Sequence, residues 1–260
     1  YQWSSSRIFG FVRNVWLTNL SDAPQEINIL DGLQNILPYG VPSGLQRSAS
    51  NLVDAYKRNE LEPSSGLGIL SLSAIIVDRA EPSEALKANV VWSLGLENKI
   101  HLLSSLQLNR FRKGQKIIEE CDVKGERGAY FVCSGMELPA KSEKKWKIIA
   151  DVNLNHSAVI GLCKTIKEDQ ALSSLIEQDI DAGTKHLMQL VAGADGLLFS
   201  ADAFNNARHF SNVLFNIMRG GVVNNHYLIT RDDFVRYIFK ANKTVFERNH
   251  DFLNSLDHAF

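Results

Sequence analysis

The stretch that most constrains this chain runs from Val12 to Pro38, VRNVWLTNLSDAPQEINILDGLQNILP. Successive side chains of an extended backbone point to opposite faces, so Val15, Leu17 and Asn19 share one side and Trp16, Thr18 and Leu20 the other. Ser21-Asp22-Ala23-Pro24 supplies turn chemistry. Ile27, Ile29 and Leu33 then share one parity of a returning strand, with Leu30 and Ile36 breaking the alternation. The segment reads as an antiparallel pair. Apolar side chains on both faces require cover on both, which predicts a place inside a large sheet assembly and not at its rim. That is the pattern of a scaffold, and no reaction is written in it.

With 260 residues, 45% of them hydrophobic, the chain can bury a sizeable core in one large β domain or two ordinary ones. A formal net charge of -1 gives no global attraction for polyanions, so neither nucleic acid nor a membrane is expected as a partner. The one basic run, Lys141 to Lys147 (KSEKKWK), reads as a solvated loop. No apolar run reaches the roughly 18 residues of a membrane span. Tyr1 has no Met or leader before it and reads as an interior position of a longer protein. Cys121, Cys133 and Cys163 are an odd number without ligand or disulfide spacing.

Arg7 to Phe11 reads as part of the first strand, with Gly10 allowing a bulge. Leu45 to Leu61 carries apolar residues at helical spacing, a helical excursion between strands. Strand signals follow at Leu67–Val77, Leu86–Leu96, Lys99–Ser104, Gly128–Met136 and Trp146–Val152, with Phe111–Glu120 ambiguous and Glu137–Lys145 an exposed loop. From residue 153 the apolar period lengthens to that of helices, most clearly over Ala203–Met218. Residues 221–229 suggest a small hairpin, and Thr230 to Asp233 a helix start leading through Phe234, Ile238 and Val245. The fold class is therefore α+β: a large antiparallel β-sandwich over 1–152, followed by linker helices over 153–260.

Arg208, His209 and Arg219 form the most chemical-looking cluster, since an 11-residue separation brings Arg208 and Arg219 to one helix face. Such donors suit a phosphate or a sugar hydroxyl. Glu119-Glu120 and Asp232-Asp233 are adjacent in sequence and so do not face one another across a substrate as an acid and base pair must. Trp16 and Trp92 are expected in the core, Trp3 and Trp146 nearer the surface. Asn19, Asn155 and Asn242 stand in N-x-[ST] triplets. No nucleotide, metal or serine-hydrolase motif occurs, so no catalytic residue, metal or cofactor is assigned.

At VWLTNLSDAPQEINILDGLQNILP and at ARHFSNVLFNIMRGG…NNHYLITRDDFVRYI the chain resembles the N-terminal, non-catalytic part of the cellobiose phosphorylase family. That resemblance implies a galactose-mutarotase-like supersandwich, then linker helices, then an (α/α)6 barrel carrying the catalytic acid and sugar subsites. It also implies an oligosaccharide as substrate, inorganic phosphate as co-substrate of the full-length enzyme, and a homodimer. The chain would be the scaffold of a glycoside phosphorylase or inverting glycosidase. The rival readings are a stand-alone carbohydrate-binding module, which needs exposed Trp3, Tyr39 or Trp146, and an aldose-epimerase-like enzyme, which needs a His and a carboxylate converging from His101, His156 and Glu137.

Overall fold

The computed structural model describes residues 1–76, 84–221 and 227–260. The fold is α+β, and the chain divides into two compact units, Tyr1–Ile180 and Asp181–Phe260.

The first unit is an antiparallel sandwich. Its larger sheet has seven strands in the order β1 (Gln2–Ser6), β2 (Gly10–Thr18), β10 (Glu143–Asn155), β6 (Lys87–Leu94), β5 (Leu67–Leu72), β4 (Lys57–Glu62) and β8 (Asp122–Lys124). The smaller has three, β3 (Gln25–Ile36), β9 (Gly128–Leu138) and β7 (Ile100–Leu102). Between the sheets lie Leu70, Val91, Tyr130, Val132, Trp146 and Ile148, with Val15, Leu17, Ile29 and Leu33 against them. The other face of the large sheet carries Val12, Leu67, Val90, Trp92 and Ile149. It is closed by Val159, Leu162 and Ile166 of α4 (His156–Glu168) and Leu172 and Ile176 of α5 (Leu172–Asp195). Fully burying such a side chain contributes about 1.5–3 kcal/mol relative to exposure.

The organising stretch is covered on its inner face but only in places on its outer one, where Trp16 and Leu20 stand exposed, and it is not a hairpin. Strands β2 and β3 belong to different sheets, pairing with β10 and β9 respectively, and β3 is an edge strand of the smaller sheet. Asn19 explains the step. Its amide donates to the carbonyls of Ala23 (2.9 Å), Leu138 (3.0 Å) and Pro139 (3.0 Å), and its carbonyl accepts from the Ser21 N–H and hydroxyl. These bonds tie the 19–24 loop to the turn after β9, where the chain steps back from the small sheet to the large one. Leu30 breaks the alternation because it packs on the outer cluster with Ile117 and with Phe111 of α3 (Leu108–Arg112). Ile36 joins the inner face because the register slips between Gln34 and Ile36, at Asn35 with its positive φ of 58°.

Several expectations change. The helical excursion is α1 (Ser43–Ser48) and α2 (Ser50–Ala55), and Lys57 begins β4, whose alternate residues Lys57, Asn59 and Leu61 are buried. Arg7 to Phe9 form the turn of a β1–β2 hairpin rather than strand. The loop expected over Glu137–Lys145 shrinks to residues 139–142, because its lysines stand on a strand and pair with acids: Lys144 with Glu97, Lys145 with Glu143, Lys147 with Glu177. Trp146 is buried, 6% exposed, while Trp16 lies partly open on the outer face. Packing between the sheets takes the odd-numbered side chains of β2 and their register partners on β10, Trp146 among them.

In the second unit, Val191 and Ala194 of α5 pack on Phe210, Val213, Leu214 and Ile217 of α6 (Ala203–Met218). The Asp202 side chain caps α6 by accepting from the N–H groups of Phe204 and Asn205. Of the 221–229 hairpin, residues 222–226 lie outside the described residues. Residue Ile229 exchanges two backbone hydrogen bonds with Phe260, and Thr230 bridges Ala259. Between them run α7 (Arg231–Ala241), α8 (Lys243–Arg248) and α9 (His250–Ser255). The single helix expected through Val245 breaks at Asn242, which is extended and caps α8 through the Val245 N–H.

Candidate functional site

Helix α6 positions two of the three expected ligand residues together. Arg208 and His209 line an open depression of about 680 Å3 with Leu198, Ser200, Asn205 and Asn212. The His209 Nε2 lies 3.2 Å from the Gly196 carbonyl, fastening the 196–202 loop to α6. Arg219 is the C-terminal cap of α6, with its guanidinium 5.3 Å from the Phe215 ring centroid. Eleven residues of helix rise roughly 16 Å, and Arg219 does not line the depression that Arg208 and His209 share. What they share is a face. Phe204, Arg208, Phe215, Met218 and Arg219 all lie exposed on the side of α6 opposite Val213.

His101 has the carboxylate partner that the epimerase reading demands, in the wrong place. Its Nδ1 is 2.8 Å from Glu119 Oε1. Burial holds its pKa below the ordinary value, a direction Lys99 reinforces and Glu119 opposes. The neutral ring therefore donates from Nδ1 to Glu119, leaving Nε2 as a buried acceptor without a partner among the described residues. A Cβ on Gly66 would come within 2.9 Å of Nε2, so no substrate fits there. Tyr130 closes the cluster by donating its hydroxyl to the Gly66 carbonyl at 2.8 Å, and burial pushes its phenol pKa up. Glu120 accepts from the N–H groups of Leu103 and Ser104, both at 2.8 Å. The adjacent carboxylates are thus structural. Glu137 lies five residues along β9 from Val132, the register partner of His101, roughly 17 Å away, and His156 is on α4.

Two cavities and one exposed ring complete the candidates, and neither cavity was singled out from the sequence. A groove of about 600 Å3 on the outer face of the large sheet is lined by Arg58, Glu60, Glu62, Lys87 and His156 among others. Its acids are committed: Glu60 pairs with Arg58 at 2.9 Å, and hydrogen bonds from Ser64 and Ser65 hold Glu62 at about 2. A second cavity, of about 400 Å3, opens beside α1 and α2 and is lined by Arg47, Lys57 and Arg127. The ring is that of Trp3, expected near the surface and found 48% exposed on β1, where it lies 5.7 Å from the Arg13 guanidinium. Among the described residues there is no group of three or more side chains placed to hold a metal ion, and no helix long and apolar enough to cross a membrane.

A comparison with curated proteins found no match. Residues 223–260, the segment containing α7 to α9, match the family model described as glycoside hydrolase family 149 insertion domain 1. This match supports a glycoside hydrolase-related family and a part in a carbohydrate-active enzyme, without singling out the cellobiose phosphorylase family.

Proposed function

We propose that this chain is a non-catalytic scaffold of a multidomain oligosaccharide-processing enzyme of the phosphorylase or inverting-glycosidase type, with its helical unit docking on a catalytic (α/α)6 barrel. The observation that carries this reading is the second apolar face of α6. Phe204 is 88% exposed, and Phe215 and Met218 on the same face are open as well. Tyr237 of α7 and Phe252 of α9 add to the exposed apolar surface of this unit. Isolated exposed apolar residues are ordinary, but several large ones on one helix face mark a surface for protein contact. The match of residues 223–260 supports the same enzyme class.

The test is binding of this chain to a separately produced (α/α)6 barrel of the family 149 type. Saturable association, weakened at least tenfold by Phe204→Ser with Phe215→Ser, is the expected result. Unchanged binding by that variant, or turnover of β-linked disaccharides by the chain alone, would overturn the reading. A second reading, a carbohydrate-binding surface, is favoured by Trp3 and Tyr39, the suspected aromatics that stand 48% and 41% exposed; quenching of tryptophan fluorescence by β-glucan oligosaccharides that disappears in Trp3→Ala would establish it at Trp3.

A further inference from the structure

The cavity beside α1 and α2 has the chemistry of an anion site. It holds about 400 Å3, within the roughly 300–1,000 Å3 of small-molecule sites. Apart from Leu37 its lining residues carry hydrogen-bonding groups, Arg47, Lys57, Arg127 and Gln46 among them, and their aliphatic stems make up much of the wall. Among the described residues one carboxylate pairs with any of these three cations. Asp54 lies 2.8 Å from the Lys57 ammonium and 3.8 Å from Arg127 Nε. Arg47 is exposed and makes no ion pair among the described residues.

Lys57 is the unusual member. It is 2% exposed, yet it lines the cavity. An ammonium carries three N–H donors. Two are taken by Gln46 Oε1 at 2.5 Å and Asp54 Oδ1 at 2.8 Å. A buried cation is tolerated when its charge and its donors are matched; Asp54 matches the charge of Lys57, one of its three donors remains, and the surplus positive charge of the cavity is that of Arg47 and Arg127. A strand position filled by a lysine where an aliphatic side chain would pack is costly unless the charge is used.

We propose that this cavity binds a phosphate group, free or carried on a hexose, with Lys57 at its floor and Arg47 and Arg127 at its rim. Two flexible guanidiniums at the mouth and a fixed ammonium beneath match a compact dianion with acceptor oxygens on every side. The site lies in the sandwich unit and does not depend on what the helical unit docks against.

Titration of the full chain with inorganic phosphate at constant ionic strength, followed by 31P line width and by isothermal calorimetry, tests this. Saturable binding is expected, with at least a tenfold loss of affinity in the double variant Arg47→Gln/Arg127→Gln and no change in Arg248→Gln, which is remote in sequence and in the other unit. Glucose 1-phosphate binding more tightly than inorganic phosphate would assign the group to a sugar ester, and equal affinity would assign it to the free ion. Absence of saturable binding, or binding that the double variant leaves intact, would overturn the proposal. Because both substitutions are at the exposed rim, a folded variant is expected, and its unchanged circular dichroism is the control.

Discussion

Trp146 donates its indole N–H to Asp31 Oδ2 at 2.6 Å, joining β10 of the large sheet to β3 of the small one. The other oxygen of the same carboxylate receives the Arg13 guanidinium from β2. One partly buried carboxylate therefore satisfies a cation and an indole from two strands of the opposite sheet. Asp31→Ala leaves the mostly buried Arg13 charge uncompensated, which is expected to cost about 3 kcal/mol. Trp146→Phe removes one hydrogen bond and some packing, and is expected to cost about 1–2 kcal/mol. Urea unfolding of the two variants checks the order; a milder Asp31→Ala would refute this account of the joint.

Asn19 is expected to be nearly as sensitive, although it lies in a loop. It is 6% exposed and its amide serves three carbonyls. Asn19→Asp keeps the acceptor for Ser21 and loses the donors, so it should destabilise by about 1–3 kcal/mol, as Asn19→Ala should. Similar losses in equilibrium unfolding would place the function in the amide N–H groups.

His101 makes the stability depend on pH in a definite direction. Its folded pKa lies below the ordinary value of 6.5, chiefly through burial. The unfolded chain thus takes up the proton first, so the contribution is fully present above about 6.5 and is lost as the pH falls through the folded value. The melting temperature should drop between pH 7 and 5, and His101→Gln should flatten that drop. Glu62, held at about 2 against an ordinary 4.5, acts in the same direction lower down. Its stabilisation is present above about 4.5 and disappears toward pH 2, so Glu62→Gln should weaken the pH dependence there and leave the His101 window unchanged.

The C-terminal helices are closed by a small clasp. Arg231 N–H donates to the His258 carbonyl at 2.9 Å, and the Phe234 and Phe260 rings meet edge to face with centroids 5.5 Å apart. Removing residues 258–260 should expose the Ile229 and Arg231 amides to solvent. Hydrogen exchange at those two amides, at least tenfold faster in the shortened chain, is the expected outcome.

Gly68 sits beneath the Tyr130 ring, where a Cβ would come within 2.6 Å of Cδ2. Tyr130 is fully buried and bonded through its hydroxyl to Gly66, so it cannot withdraw cheaply. Gly68→Ala is expected to destabilise by about 1–3 kcal/mol through overpacking, readable as a lowered urea midpoint with an unchanged slope.

The sequence by itself determined the class of this fold. Alternating and two-sided apolar strands up to β10, then a 3.6-residue period, were enough for a sandwich followed by helices, and α6 was legible to its ends. The three N-x-[ST] asparagines show how far local chemistry reaches. Asn155 and Asn242 cap helices through their own neighbours, which local sequence suggests, whereas Asn19 bonds carbonyls 119 and 120 residues away. Only the tertiary structure decided that β2 and β3 belong to different sheets, since strand periodicity specifies faces and not partners. It alone showed that polar Lys57-Arg58-Asn59-Glu60 is a strand paired on both sides, because a lysine is buried only where Gln46 and Asp54 happen to meet it. The same reason governs the sites. Arg208 and Arg219 share a face that the helical period fixes, but the three cations of the α1–α2 cavity come from positions 47, 57 and 127. Contacts of that separation are set by how sheets and loops pack, and no local pattern carries them.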